Sequence, residues 1–184
     1  FLMNRSLYRG VKPVMWSPVE KTALAEAEIE YHDHVSTTIF ARFPIKKAPL
    51  EILNDYEIII WTTTPWTMPG NRAVAYGKDI DYSLLEITSV NENSLAKIGD
   101  KIVVANQLLE EAIKELSISN YNVSKKLKGS DFEGSILAHP LNGYGYDHDV
   151  LLLEADFVTT DQGTGFVHIA PGHGADDFEL GKKH

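Results

Sequence analysis

Between residues 56 and 184 the chain is a succession of short β-type runs, each closed by turn residues, with very little of helical period among them. Glu57-Ile58-Ile59-Ile60-Trp61-Thr62-Thr63 is continuously apolar and β-branched, the mark of a buried strand. Arg72 to Tyr76, Tyr82 to Ile87, Lys101 to Ala105, Tyr121 to Leu127, Ser135 to Ala138, Val150 to Leu153 and Gly165 to Ile169 read the same way. Pro65, Pro69 and Gly70 predict an irregular loop after the first run, and Asn91-Glu92-Asn93-Ser94 another. Leu108-Leu109, Ala112-Ile113 and Leu116 recur at helical spacing, which predicts a helix over Gln107 to Leu116. Asp176 to Lys183 predicts a short closing helix, with acidic residues in the first turn where the dipole favours them. There is no βαβ alternation and no internal repeat. The expectation is a β-rich α+β body with a few peripheral helices, barrel-like or a sandwich; pattern alone leaves both open.

Ahead of this body, Tyr8 to Trp16 reads as a strand closed by Ser17-Pro18, and Val35 to Phe43 as a strand stopping at Pro44. Thr22 to Glu28 is too short for an independent helix. Residues 1–55 are therefore expected to be an N-terminal strand ribbon leading into a body at 56–184. A length of 184 residues suits one domain with such an appendage. The chain begins at Phe1 with no basic start and apolar block, so a signal peptide is not expected and a piece of something larger is.

No apolar run approaches the roughly 20 residues of a membrane helix, so no membrane partner is expected. There is no cysteine, which excludes disulfides, thiolate zinc sites and a cysteine nucleophile, and fits a cytoplasmic protein. The net charge is −9. Free-standing nucleic-acid binders usually carry a basic surface, because phosphate neutralisation supplies most non-specific affinity. If the substrate is a nucleic acid, most of the grip must come from elsewhere. Lys125-Lys126-Leu127-Lys128 is one local basic run, though such runs are more often solvated strand ends.

Two constellations carry candidate chemistry. In Trp61-Thr62-Thr63-Thr64-Pro65-Trp66-Thr67-Met68-Pro69-Gly70, threonines end a buried strand where the chain turns outward. Their hydroxyls both donate and accept, so the cluster can hold a carbonyl, a ribose hydroxyl or a water. β-Propensity by itself also explains a threonine run. In Gly163-Thr164-Gly165-Phe166-Val167-His168-Ile169-Ala170-Pro171-Gly172-His173-Gly174-Ala175-Asp176-Asp177, a strand enters a glycine-rich loop and then a helix. Alternation puts Phe166, His168 and Ala170 on one face, and the loop glycines permit close approach of a ligand. Asp177 is either a cap of that helix or a carboxylate for an ammonium group. The His and Asp spacing matches no familiar metal framework, so no metal is expected. There is no Gly-x-Ser-x-Gly elbow, no dinucleotide loop and no P-loop lysine.

Together the two blocks resemble the editing (CP1) domain inserted into the class I isoleucyl-, valyl- and leucyl-tRNA synthetases. Tyr8-Arg9-Gly10-Val11-Lys12-Pro13-Val14 and Ala23-Leu24-Ala25-Glu26-Ala27-Glu28-Ile29-Glu30-Tyr31 look like the segment leading into that insert. Gly134 through His139-Pro140-Leu141 looks like a stretch shared by all three relatives. Valyl and leucyl relatives typically carry Thr-Thr-Arg-Pro, then an acidic residue and Thr. Thr64 and Trp66 stand in the arginine and acidic places here, which with His168 looks isoleucyl and bacterial in type.

The resemblance implies a proofreading deacylase of translation. An isoleucine pocket rejects valine by only about 150-fold, the established worked case of one-methylene discrimination. A second site must then admit valine and hydrolyse its ester with the tRNA 3′-terminal adenosine. On this reading Thr62, Thr63 and Asp177 are catalytic, with Asp177 on the substrate ammonium. Trp61, Thr64, Thr67, His168, Gly172 and His173 bind substrate, Thr67 and His168 walling the side-chain pocket. The implied partners are the 3′ end of tRNA(Ile) carrying valine and the rest of the synthetase chain, and a monomer is expected. The His-Ile-Gly-His-like and Lys-Met-Ser-Lys-Ser-like signatures are absent, so ATP and Mg are left to a missing aminoacylation domain and no cofactor is expected here. Other readings are a valyl- or leucyl-type editing domain, a non-catalytic RNA- or protein-docking insert, or a metallohydrolase.

Overall fold

The computed structural model describes residues 1–11 and 14–184. The chain divides into two compact units, Phe1–Val35 and Ser36–His184. In the first, β1 (Trp16–Ser17) pairs antiparallel with β2 (Thr22–Ala23), and a single 3-10 turn follows at Glu26–Glu28. The strand expected over Tyr8 to Trp16 therefore shrinks to its last residue plus Ser17; its Lys12 and Pro13, and those of the lead-in motif, lie outside the described residues. Two ladder pairs give a ribbon little to stand on, because isolated two-stranded hairpins are marginal in water.

The second unit runs β3 (Ile39–Lys47), β4 (Glu57–Thr62), β5 (Ala73–Tyr76), β6 (Asp81–Val90), β7 (Lys101–Ala105), α1 (Leu109–Glu115), β8 (Ile118–Lys128), β9 (Ile136–Ala138), β10 (Asp149–Glu154), β11 (Phe166–Ile169) and α2 (Ala175–Lys183). The nine strands form one mixed sheet in the order β11-β5-β10-β9-β3-β4-β7-β6-β8. The β5–β10 and β4–β7 pairs are parallel and the rest antiparallel. The sheet curls so that β11 returns alongside β4, and the Ala105 N–H at the end of β7 donates to Thr164 O at 2.9 Å. That curl gives the barrel-like body its closed side.

β3 corrects two expectations. It pairs with both β4 and β9, so residues 36–55 belong to the larger unit rather than to the ribbon. It also continues through Pro44 to Lys47. Ile45 N–H donates to Tyr56 O, so by antiparallel alternation the Pro44 nitrogen points away from β4 and its missing N–H breaks no bond of that ladder. The expected loop after β4 is a 3-10 turn, Pro65–Gly70, because Pro65 presets φ for its first residue. The helix expected over Gln107 to Leu116 opens as a 3-10 turn at Asn106–Leu108 before α1.

The core explains the strand patterns. In β4, Ile58 and Ile60 face the central cluster while Ile59 faces the layer under α1, so both faces are apolar. In β5, Val74 and Tyr76 enter the central cluster and the small Ala73 and Ala75 meet Leu180 of α2. Tyr82 is fully buried; its hydroxyl donates to Gly165 O (2.8 Å) and accepts Gly77 N–H (3.1 Å), and burial pushes its pKa up. Gly165 has φ +83° and an added Cβ would stand 2.3 Å from Ala105 Cβ, so no other residue fits where β11 passes β7. Among the described residues no helix is long and apolar enough to cross a membrane.

Candidate active site

β4 ends at Thr62, and its last hydroxyl turns the chain. Thr62 Oγ1 accepts Thr64 N–H at 3.1 Å and lies 3.2 Å from Thr64 Oγ1. The 3-10 turn then brings Thr67 back: its N–H (3.0 Å) and its Oγ1–H (2.8 Å) both donate to Thr64 O. Thr67 is buried and faces β11, where His168 stands opposite Val74 of β5.

His168 is held at both nitrogens. Asn71 Nδ2 lies 2.7 Å from Nδ1, and Thr67 Oγ1 lies 2.9 Å from Nε2. Asn71 Nδ2 also donates to Ala73 O at 2.8 Å, which fixes which end of the amide carries the hydrogens. Nδ1 must then accept, so Nε2 carries the proton and donates to Thr67 Oγ1, whose own hydrogen goes to Thr64 O. The chain of bonds runs one way from Asn71 to Thr64 and needs a neutral imidazole. Burial lowers the His168 pKa, and this outweighs the opposing pull of nearby Asp177.

The remaining wall comes from the loop after β11 and the start of α2. Asp177 Oδ2 accepts the Ala170 N–H at 2.7 Å, reaching back out of its helix. The helix N-cap, Gly174, has no side-chain cap, so Asp177 is not a capping residue for α2. A Cβ on Gly174 would sit 2.9 Å from the Asp177 carboxyl carbon, so the glycine makes room for this carboxylate. Oδ1 has no hydrogen-bond partner among the described residues.

These walls enclose a cleft of about 400 Å³ lined by Trp61, Thr62, Thr64, Trp66, Thr67, His168, His173 and Asp177, with Val167, Ala170 and Gly174 between them. Thr63 opens instead on a neighbouring groove of about 260 Å³ with Phe157, Thr159, Gln162 and Gly163; Trp61 and Thr62 border both. Gly172 is exposed and lines neither. Size does not single out this cleft, since a hollow of about 430 Å³ lies beside α2. That hollow is lined by Glu154, Asp156, Asp176 and Glu179 and offers no hydroxyl, whereas the cleft joins threonine hydroxyls, the His168 imidazole and an open carboxylate. Among the described residues no group of three or more His, Asp or Glu converges to hold a metal ion.

Sequence reasoning did not select Asn71, which is fully buried and sets the His168 tautomer. An asparagine after Pro-Gly reads as a turn residue, and only the β5–β11 register brings it to His168.

Residues 2–162 match the family model for tRNA synthetases class I (I, L, M and V). The chain belongs to that class I synthetase family. The isoleucine–tRNA ligase of Gluconobacter oxydans is 55% identical over 186 residues, covering 100% of this chain and 19% of that relative. This class I domain thus spans about a fifth of such a relative's length. Its fold is that of the CP1 editing domain. The crystal structure of GlLeuRS-CP1 superposes with a TM-score of 0.60 at 16% identity, over 80% of this chain and 59% of that one. The editing domain of the P. knowlesi cytosolic leucyl-tRNA synthetase superposes at 0.56 and 11% identity, over 82% and 64%.

Proposed function

We propose that this domain hydrolyses valine from mischarged Val-tRNA(Ile), as the post-transfer editing site of an isoleucyl-tRNA synthetase. The observation that carries the reading is the pairing of a closed Thr67–His168 wall with an open Asp177 carboxylate across one cleft. Asp177 Oδ1 takes the α-ammonium of the aminoacyl ester, a charge-assisted contact that free tRNA cannot make. Thr67 and His168 limit the depth available to the side chain, admitting valine and refusing one further methylene. The terminal ribose lies over Thr62 and Thr64, and its base extends into the Thr63 groove between Trp61 and Phe157. Water adds to the ester carbonyl, the C–O bond to the ribose breaks, and the leaving ribose oxygen takes up a proton. No side chain in the cleft is placed as a strong general base, so the acceleration comes mainly from positioning. The step needs no cofactor beyond water.

The acidic balance, −9 overall, leaves most of the tRNA grip to the rest of the synthetase chain. We infer that the domain works in the cytoplasm within a monomeric synthetase.

The test is deacylation of Val-tRNA(Ile), Ile-tRNA(Ile) and Thr-tRNA(Val) by the wild type and by His168→Ala. The wild type is expected to favour the first strongly, with only slow hydrolysis of Ile-tRNA(Ile), and the variant to hydrolyse Ile-tRNA(Ile) much faster. Preference for Thr-tRNA(Val) would make it a valyl-type site; an isoleucyl ester hydrolysed no faster by the variant would remove His168 from the sieve; no deacylation at all would leave a docking insert.

A further inference from the structure

The stretch Gly134 to Leu141 has no part in the cleft, yet its histidine reaches the cleft's wall from behind. Ala138 of β9 is the register partner of Asp149 of β10, so His139 and His148 are the next pair up, where the ladder stops. Their rings lie 5.2 Å apart, and His139 also stacks on Tyr146 (5.1 Å, 18° between planes). His139 is buried; His148 is half-buried.

Both imidazoles point at the same short segment. Leu141 N–H donates to His139 Nδ1 at 3.0 Å, so Nε2 carries the proton and donates to Met68 O at 3.0 Å. Burial lowers the His139 pKa and favours the neutral ring this pattern requires. His148 Nε2–H donates to Asn71 O at 3.1 Å. Met68 and Asn71 close the Pro65–Gly70 turn, where Asn71 N–H also donates to Met68 O at 3.0 Å. Two of the turn's six residues are prolines with no N–H to give, so its position depends on bonds from outside. From this turn Thr67 projects to Nε2 of His168, and Asn71 just beyond it to Nδ1.

We propose that His139 and His148 are positioning residues that set the width of the side-chain pocket, by holding the carbonyls of Met68 and Asn71 and with them the turn that carries Thr67. The inference rests on the proposed hydrolysis of a valyl ester by this cleft. Neither histidine touches substrate. Their effect is on which side chain fits, because a turn free to recede lets Thr67 move away from the pocket while Asp177, anchored on Ala170 N–H, stays in place.

The experiment uses His148, because its partial exposure lets variants fold where a change at buried His139 risks the core. Deacylation of Val-tRNA(Ile) and Ile-tRNA(Ile) is measured with the full chain for the wild type, His148→Ala and His148→Gln. His148→Ala is expected to raise the isoleucyl-to-valyl ratio of kcat/KM by about fivefold, the shift that one net hydrogen bond can produce. His148→Gln, which keeps an N–H within reach of Asn71 O, restores the ratio. A merely structural role would lower both activities in proportion; that outcome, an unchanged ratio, or failure of the glutamine to restore it overturns the proposal. A wild type that hydrolyses neither ester overturns the proposed function itself, and the wild-type measurement tells the two failures apart.

Discussion

On one wall of the cleft, Thr67, His168 and Asn71 direct their hydrogen bonds at one another and at backbone carbonyls, in a chain that leaves the imidazole no free nitrogen. At another part of the lining, Asp177 uses one carboxylate oxygen on Ala170 N–H and keeps the other for the cleft. The first arrangement suits exclusion, since a buried network whose donors are all committed has one shape and resists enlargement, although Asn71 Oδ1 itself has no partner among the described residues. The second suits attraction, since an anchored carboxylate presents charge without losing its place. A site that must hold the ammonium common to all amino acids, yet refuse one extra methylene, needs both, and needs them on separate elements. The 3-10 turn and β11 supply the first, and α2 the second.

The comparison breaks most sharply at Asp177. Asp177→Ala is expected to lower Val-tRNA(Ile) deacylation about 100-fold, as for a charged hydrogen bond to substrate, and to leave the isoleucyl-to-valyl ratio unchanged. Near-normal turnover would take Asp177 out of the mechanism. Gly174→Ala perturbs the same wall indirectly, because its Cβ would press on the carboxyl group at 2.9 Å. About tenfold loss, again without change in selectivity, is expected from that displacement; a selectivity change would mean the two walls are mechanically joined. Asn71→Ala acts on the closed wall. It frees Nδ1 of His168 and the other tautomer with it, costing about 1 kcal/mol in urea unfolding and letting isoleucyl ester in. An intact ratio there would show that the tautomer does not matter to exclusion.

Much of this was legible in the residues, for reasons that differ by element. β7 appears residue for residue as Lys101–Ala105, because an apolar run bounded by Gly99-Asp100 and Asn106 has one reading. α2 begins one residue before its expected start. Among the described residues of Tyr8–Trp16 the strand failed because β-propensity without a partner makes no ladder, and the stop at Pro44 failed because the side of the strand its nitrogen faces is a tertiary fact. In the site, Thr62, Thr64, Thr67, His168, His173 and Asp177 line one cleft, a grouping that only the family resemblance and not composition had implied, while Thr63 turns into the adjoining groove. Asn71, His139 and His148 were out of reach of pattern reading. Each acts through a hydrogen bond to a residue on another strand or turn, and nothing in local sequence encodes such a partner.

The smallest effect expected concerns protons. His168 and His139 both have pKa values lowered from 6.5, with burial the leading cause in each, and both sit in hydrogen-bond patterns that only the neutral ring can satisfy. A histidine depressed in the folded state binds protons more readily when unfolded, so its contribution is complete above 6.5 and is lost as pH falls toward the folded value. Asp100 does not blur this window. Burial alone would raise the pKa of Asp100, but the bond from Arg42 and that from Lys97 N–H outweigh it and hold the group low, so its contribution is lost only in stronger acid. The urea midpoint should therefore decline between pH 7 and about pH 5, in the range where unperturbed histidines titrate and most carboxylates do not. The decline should shrink in His168→Gln, which cannot be protonated. A midpoint flat across that range would mean that the closed wall tolerates an imidazolium, and the one-way chain from Asn71 to Thr64 would lose its claim to define the pocket.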